Sequence, residues 1–302
     1  MRILLFLVLS FALNAYNIVP VNYQGKVKFI KQEKLDYYFD GLNFSELSDL
    51  ACDKSSDILY AVSDKGTLFT FKANLNDKGF KLIPLNGYKL KRKNGKRLKK
   101  WKRDSEGLAL DSSNRLYISF EGKPKVSLYR KDGVKIKNIK LPKVLNKSNL
   151  RSKNKSLESL AWHPKYGLLT ALEYSKKGDK KENQTIYSTS GKQWRLKLEP
   201  MHNNAITAIE VMDDGNLLIL ERAYNGLLGK FQVNLVKMYI KGCKSGEFCK
   251  KEKLLTIDSA KGWQVENFEG LCRVGKNRYL MVSDDNDSIL ASTILVYFEV
   301  KD

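Results

Sequence analysis

Histidine is nearly absent: His163 and His202 are the only two in 302 residues. A metal site built on imidazoles is excluded by that shortage. His163, in WHPKYG, reads as a turn residue, and His202, in PMHNNA, has no clear nucleophile beside it. No Gly-x-Ser-x-Gly elbow occurs, so serine-esterase chemistry lacks its usual starting point. Cysteine is limited to four residues, none at zinc-binding spacing. Beyond residue 15 no apolar run is long enough to cross a bilayer as a helix, and no segment of length repeats every 3.6 residues. Acidic charge is the minority: 33 Asp and Glu stand against 54 Lys and Arg, a net of +21.

Strands fill the space that helices leave. Residues 106–121, EGLALDSSNRLYISFE, read as a hairpin with a turn at Asp111–Asn114 and a carboxylate at each end. The unit recurs as Ser48–Asp64, Glu158–Glu173, Thr207–Glu221 and Glu269–Asp284, at spacings of 58, 52, 49 and 62 residues. Self-similarity at this period, strand-rich throughout, predicts an all-β propeller with one repeat per blade. The repeat count favours five blades, and six remain possible if one blade has lost its motif. The N-terminal strand, clearest at VKFIKQ, is expected to close the ring by joining the C-terminal blade.

In each hairpin the terminal acids lie equidistant from the turn. They are therefore expected to be cross-strand neighbours with Cβ atoms roughly 5 Å apart, where like charges repel. Eight carboxylates would ring one face of the channel: Asp64, Glu106, Glu121, Glu158, Glu173, Glu221, Glu269 and Asp284. Asp104, Asp285 and Asp287 add nearby oxygens. Hard oxygen donors without His or Cys suit calcium. The bland alternative is that these carboxylates bind loop N–H groups, or Arg and Lys of the next blade.

Residues 1–15, MRILLFLVLSFALNA, fit a cleavable signal peptide, with 16–302 as the mature domain and a periplasmic or secreted destination. Their removal leaves 53 basic and 33 acidic residues, +20, an exterior that attracts anionic small molecules or polyanions. No specific nucleic-acid binding and no partner subunit are expected. Export makes disulfides plausible. Cys243 and Cys249, in GCKSGEFC, suit a local bridge. Cys52 and Cys272 fall in the first strands of repeats one and five at different offsets, so their pairing stays open. KLKRKNGKRLKKWKR, residues 89–103, is either a solvated loop or a basic lip over an anionic substrate.

DSEGLAL, LERA (residues 220–223) and NFEGL…LMVSDDN together resemble the family described as esterase-like activity of phytase, a relative of the β-propeller phytases. The resemblance covers nearly all of the mature chain. It implies calcium ions on the channel face that help bind phosphate and activate water, with Glu106, Glu121, Glu269 and Asp284 matching the motif best as catalytic residues. Arg103, Arg222 and Lys123 would then hold phosphate oxygens. Hence a calcium-dependent phosphoesterase acting on anionic phosphate esters is expected. A non-catalytic binding propeller for a polyanionic ligand or protein, or a purely structural one, is the alternative.

Overall fold

The computed structural model describes residues 18–19, 25–99, 102–152, 156–224, 231–288 and 291–301. The expected signal peptide, residues 1–15, lies outside them. The chain folds into five four-stranded antiparallel sheets arranged as a five-bladed propeller. Blade 1 is β2 (Leu47–Asp53), β3 (Ile58–Ser63), β4 (Thr67–Asn76) and β5 (Gly79–Lys89). Blade 2 is β6 (Ser105–Leu110), β7 (Leu116–Phe120), β8 (Lys125–Tyr129) and β9 (Lys135–Ile139). Blade 3 is β10 (Leu157–His163), β11 (Gly167–Leu172), β12 (Asn183–Ser188) and β13 (Gln193–Lys197). Blade 4 is β14 (Ala205–Val211), β15 (Leu217–Tyr224), β16 (Phe231–Met238) and β17 (Lys251–Asp258). Blade 5 is β18 (Asn267–Gly275), β19 (Arg278–Asp284) and β20 (Ile294–Val300), completed by β1 (Val27–Lys34). As the repeats implied, the N-terminal strand closes the ring, Val27 pairing with Val300 and Lys34 with Ile294.

Inner strands are buried on both faces by neighbouring blades, so they read as apolar runs: β3 is ILYAVS and β15 begins LLIL. The core is accordingly divided among the five blade interfaces. Leu108, Ile118 and Phe120 of blade 2 pack on Ala51, Tyr60 and Val62 of blade 1. Leu235, Val233 and Leu220 of blade 4 pack on Phe268, Tyr279 and Met281 of blade 5. Each inner hairpin turns on one left-handed residue, namely Asp57, Asn114, Gly167, Gly215 or Asn277, with φ between 54° and 80°. Gly, Asn and Asp are the residues that adopt that conformation at least cost, which is why they punctuate the repeats.

Both disulfides form. Cys243–Cys249 closes the tip between β16 and β17, and Cys52–Cys272 joins β2 to β18 across the seam of the ring. Lys91 donates its N–H to Gly133 O and accepts from Lys135 N, at 2.8 and 3.0 Å, which docks it on blade 2.

Candidate functional site

One irregularity, repeated in every blade, builds the site. Each first strand carries an extra residue where it enters the sheet: register shifts occur between Leu47 and Asp49, Ser105 and Leu108, Leu157 and Ser159, Ile206 and Ala208, and Phe268 and Gly270. These are β-bulges, which set two residues against one and re-aim side chains. The terminal acids of a hairpin are therefore not directly opposite each other, as equal spacing from the turn suggested. Glu121 N–H bonds to Asp104 O and Glu173 N–H to Ser156 O, while Glu106 and Glu158 occupy the bulges. Likewise Asp284 faces Asn267, and Glu269 is the bulged residue.

The Glu-Gly pairs follow from the same geometry. A Cβ on Gly107 would lie 2.6 Å from Leu160 N, and one on Gly270 would lie 2.8 Å from Asp49 Cα. Inner strands approach too closely at these two positions for a side chain, so glycine follows Glu106 and Glu269.

The carboxylates of blades 2 and 3 converge. Asp104, Glu106 and Glu121 bring one oxygen each within 4.8 Å of one another, and Glu121, Glu158 and Glu173 do the same. Glu121 belongs to both groups, and its Oε1 also accepts from Ser156 N at 3.2 Å. Burial, followed by the charges of Glu121, Glu269, Asp104 and Asp64, pushes the Glu106 carboxyl well above its usual range. Glu158 is raised likewise, by burial and then by Glu106 and Glu173. Around the ring, burial and Glu46 lift Asp64 to about 7, while burial and Glu269 lift Asp284 to about 8.

Blade 4 breaks the pattern. Its register pairs Glu221 with Ile206 and Arg222 with Ala205, so Arg222 takes the place that Glu121, Glu173 and Asp284 hold elsewhere. The Arg222 guanidinium meets Glu173 Oε1 at 3.4 Å and closes on Glu269 Oε1 and Asn267 Oδ1. Desolvation alone would lower its pKa, but Glu269, Glu173 and Glu158 outweigh that and raise it. Glu221 is fully buried away from this group, its Oε2 accepting from Glu199 N at 3.1 Å and Asn204 Nδ2 at 2.9 Å.

The remaining candidates scatter. Arg103 lies against the turn after Asp64, where a Cβ on Gly66 would be 2.8 Å from its own. Lys123 is exposed, two residues beyond Glu121. Asp285 is spent on the loop, accepting from Glu46 N at 2.9 Å and Thr293 Oγ1 at 2.8 Å, and Asp287 accepts from Asn43 at 3.2 Å. His163 sits at the opposite mouth as a turn residue, its Nε2 3.2 Å from Gly215 O and its pKa lowered by burial.

Asp49 escaped the sequence reading. Its carboxylate accepts from Leu50 and Leu108 N–H at 2.8 Å and from Leu271 N–H at 3.1 Å, tying the inner strands of blades 1, 2 and 5 together. The available signal was SDL in repeat one where the other repeats have EGL, ESL, TAI and EGL, an acid at a position that elsewhere holds only Gly, Ser or Ala.

Two cavities adjoin this frame. One of about 530 Å³ opens at the mouth opposite the acids, among the inner turns. The other, about 880 Å³, lies between blades 3 and 4.

Compared with known proteins, residues 42–287 match the model of a phytase-like family described as esterase-like activity of phytase. No curated protein matches the chain. Among solved structures it is similar to the PQQ-bound aldose sugar dehydrogenase of Streptomyces coelicolor, with 13% identity, 91% of this chain and 98% of that one covered, and a TM-score of 0.47. It is also similar to selenomethionine-substituted virginiamycin B lyase of Staphylococcus aureus, at 9% identity, 90% and 99% coverage and a TM-score of 0.42.

Proposed function

Since the chain belongs to the phytase-like family described as esterase-like activity of phytase, we propose that it is an exported, calcium-dependent phosphoesterase acting on anionic phosphate esters at the acid-lined face of its propeller. The observation that carries this reading is the pair of three-carboxylate groups that share Glu121. Burial first, and then the charge of neighbouring carboxylates, raises the pKa values of Glu106 and Glu158. An all-oxygen, acid-rich donor set of this kind fits a hard divalent cation such as calcium.

Asp104, Glu106, Glu121, Glu158 and Glu173 would hold the cation, with Asp64, Glu269 and Asp284 at the rim. When bound there, calcium supplies positive charge to phosphoryl oxygens and acidity to water. The chain's own residues supply the rest. Arg222, pinned by Glu173, Glu269 and Asn267, presents a fixed positive charge beside the acids, and Arg103 and Lys123 flank the same face to hold ester oxygens. Asp284, whose carboxyl pKa is raised by burial and Glu269, would stand beside them as the proton-exchanging group.

Purified mature protein assayed on a panel of phosphate monoesters decides between readings. Phosphate release in calcium that stops in chelator, and falls at least about a hundredfold in Glu121→Gln, is the expected result. No release from any ester at millimolar calcium would sink the enzymatic reading. The second reading, a non-catalytic propeller binding a polyanion, draws on the +21 net charge and on Arg222, which already neutralises part of the ring.

A further inference from the structure

The cleft between blades 3 and 4 is separate from the acid ring, and its chemistry is opposite. Its wall includes Arg151, Lys181, Lys197 and Lys251, with the Tyr174 ring and Met201 between them. Tyr174 directly follows Glu173, so the cleft starts where the ring ends. Lys181 and Lys197 are exposed and flank the hydrogen bond from Leu198 N to Glu182 O, 2.8 Å, which brings their two segments side by side. Neither lysine forms an ion pair among the described residues. Arg151 is fixed through backbone oxygens, its Nε 3.3 Å from Ser175 O, and carbonyls do not cancel its charge.

Of the two acids on the wall, Glu199 is shared by Lys251 at 2.6 Å and Lys253 at 3.1 Å, leaving Glu182 against the remaining cations. A surplus of positive charge around an apolar floor, in a volume suited to a small ligand, recognises an anion carried on an apolar body. Leu198, 3% exposed, belongs to that floor.

We infer that this cleft is a second binding site, for a small organic anion bearing an aromatic or aliphatic body, and that it functions without the divalent cation. Like charges on Lys181 and Lys197 repel in the empty cleft and are relieved when the anion enters. Met201 and Tyr174 cover its body. No member of the acid ring takes part, so chelation leaves the site intact.

Calorimetric titration with naphthalene-2-sulfonate in chelator is the test, with inorganic sulfate as the second arm. Naphthalene-2-sulfonate should bind saturably to one site and sulfate far more weakly. The Lys181→Glu/Lys197→Glu pair should weaken binding roughly tenfold or more, because two attractions become repulsions at short range. Met201→Asp should weaken it as well, and a Lys137→Glu/Lys140→Glu pair on and beside β9, with the same change in net charge, should alter it less than about twofold. The melting curve of each variant confirms folding. Absence of binding to the native chain, equal affinity for sulfate, or an equal loss in the β9 pair would each overturn the proposal. Because the titration is run without calcium, its failure leaves the phosphoesterase reading untouched, and the reverse also holds.

Discussion

Blades 3 and 4 place opposite charges at one register position. Glu173 directly follows β11 and Arg222 lies near the end of β15, each facing the residue two before the bulge in its own blade. On the Glu173 side, with blade 2, carboxylates accumulate, and burial and neighbouring acids raise Glu106 and Glu158. On the Arg222 side the charge is already answered, by Glu173 and Glu269 across the two interfaces. One fold position thus serves two ends: unrelieved repulsion, which invites a cation, and a buried ion pair, which locks neighbouring blades. The difference teaches that the ring is polarised rather than uniform.

Removing the locking charge should have the largest effect. Arg222→Met strands Glu173 and Glu269, which are 2% and 16% exposed, without their counter-charge. Breaking a buried pair from one side costs about 3–5 kcal/mol, so chemical denaturation should show a loss of that order in chelator. Calcium should recover part of it. An unchanged midpoint would show that Arg222 is not what holds blades 3 and 5 against blade 4.

Next comes the cation itself. Calcium should raise the melting temperature and chelator lower it, by about 2.7 kcal/mol of stability at a hundred times the dissociation constant. Glu121→Gln, which strikes both carboxylate groups, should abolish most of that response. Glu269→Gln, whose partner is Arg222, should leave most of it. Equal responses from the two variants would erase the contrast between the halves, and no response at millimolar calcium in the native chain would remove the cation from the account.

The last effect is a slope. Asp64 and Asp284 titrate at about 7 and about 8 in the fold, against an ordinary 3.8. Between those limits the folded state binds more protons than the unfolded one, so stability in chelator should fall as pH rises from about 4 to about 8, then level off. Calcium should flatten the slope, because cation and protons compete for the same oxygens. A metal-free stability that rises with pH through this window would contradict the assigned shifts.

Much of this architecture is legible in the residues. The five hairpins, their Gly and Asn turns and the closing strand follow from spacing and from which residues tolerate left-handed backbone. Glu106, Glu121, Glu158 and Glu173 are legible as neighbours on one face too. Their arrangement is not, because a bulge inserts a residue without leaving a mark in a pattern of apolar runs. Hairpin symmetry about Ser113 and Asn114 suggested that Glu106 faces Glu121, whereas the register centres on Ser113, one position off, and the bulge adds one more, so that Glu121 meets Asp104. Glu221 was misplaced by counting: Glu121, Glu173 and Asp284 each stand fifteen residues after their bulged residue, and fifteen after Thr207 is Arg222. Asp49 was hidden for another reason: its three N–H donors come from residues 50, 108 and 271, partners that local sequence does not connect.

The seam between β1 and β20 governs when this molecule can exist at all. Lys34 finds Ile294 only after nearly the whole chain has been made. At about 5–20 residues per second of synthesis, the strand that closes the ring waits roughly 10–50 s for its partner. Throughout that interval β1 is an orphan edge, able to pair with another nascent copy, because β20 is not yet made, and Cys52 awaits Cys272 for most of it. The ring is thus a timer as well as a scaffold: for most of its synthesis the chain stays open, the condition in which an unfolded polypeptide can still be threaded through a pore or held by a chaperone.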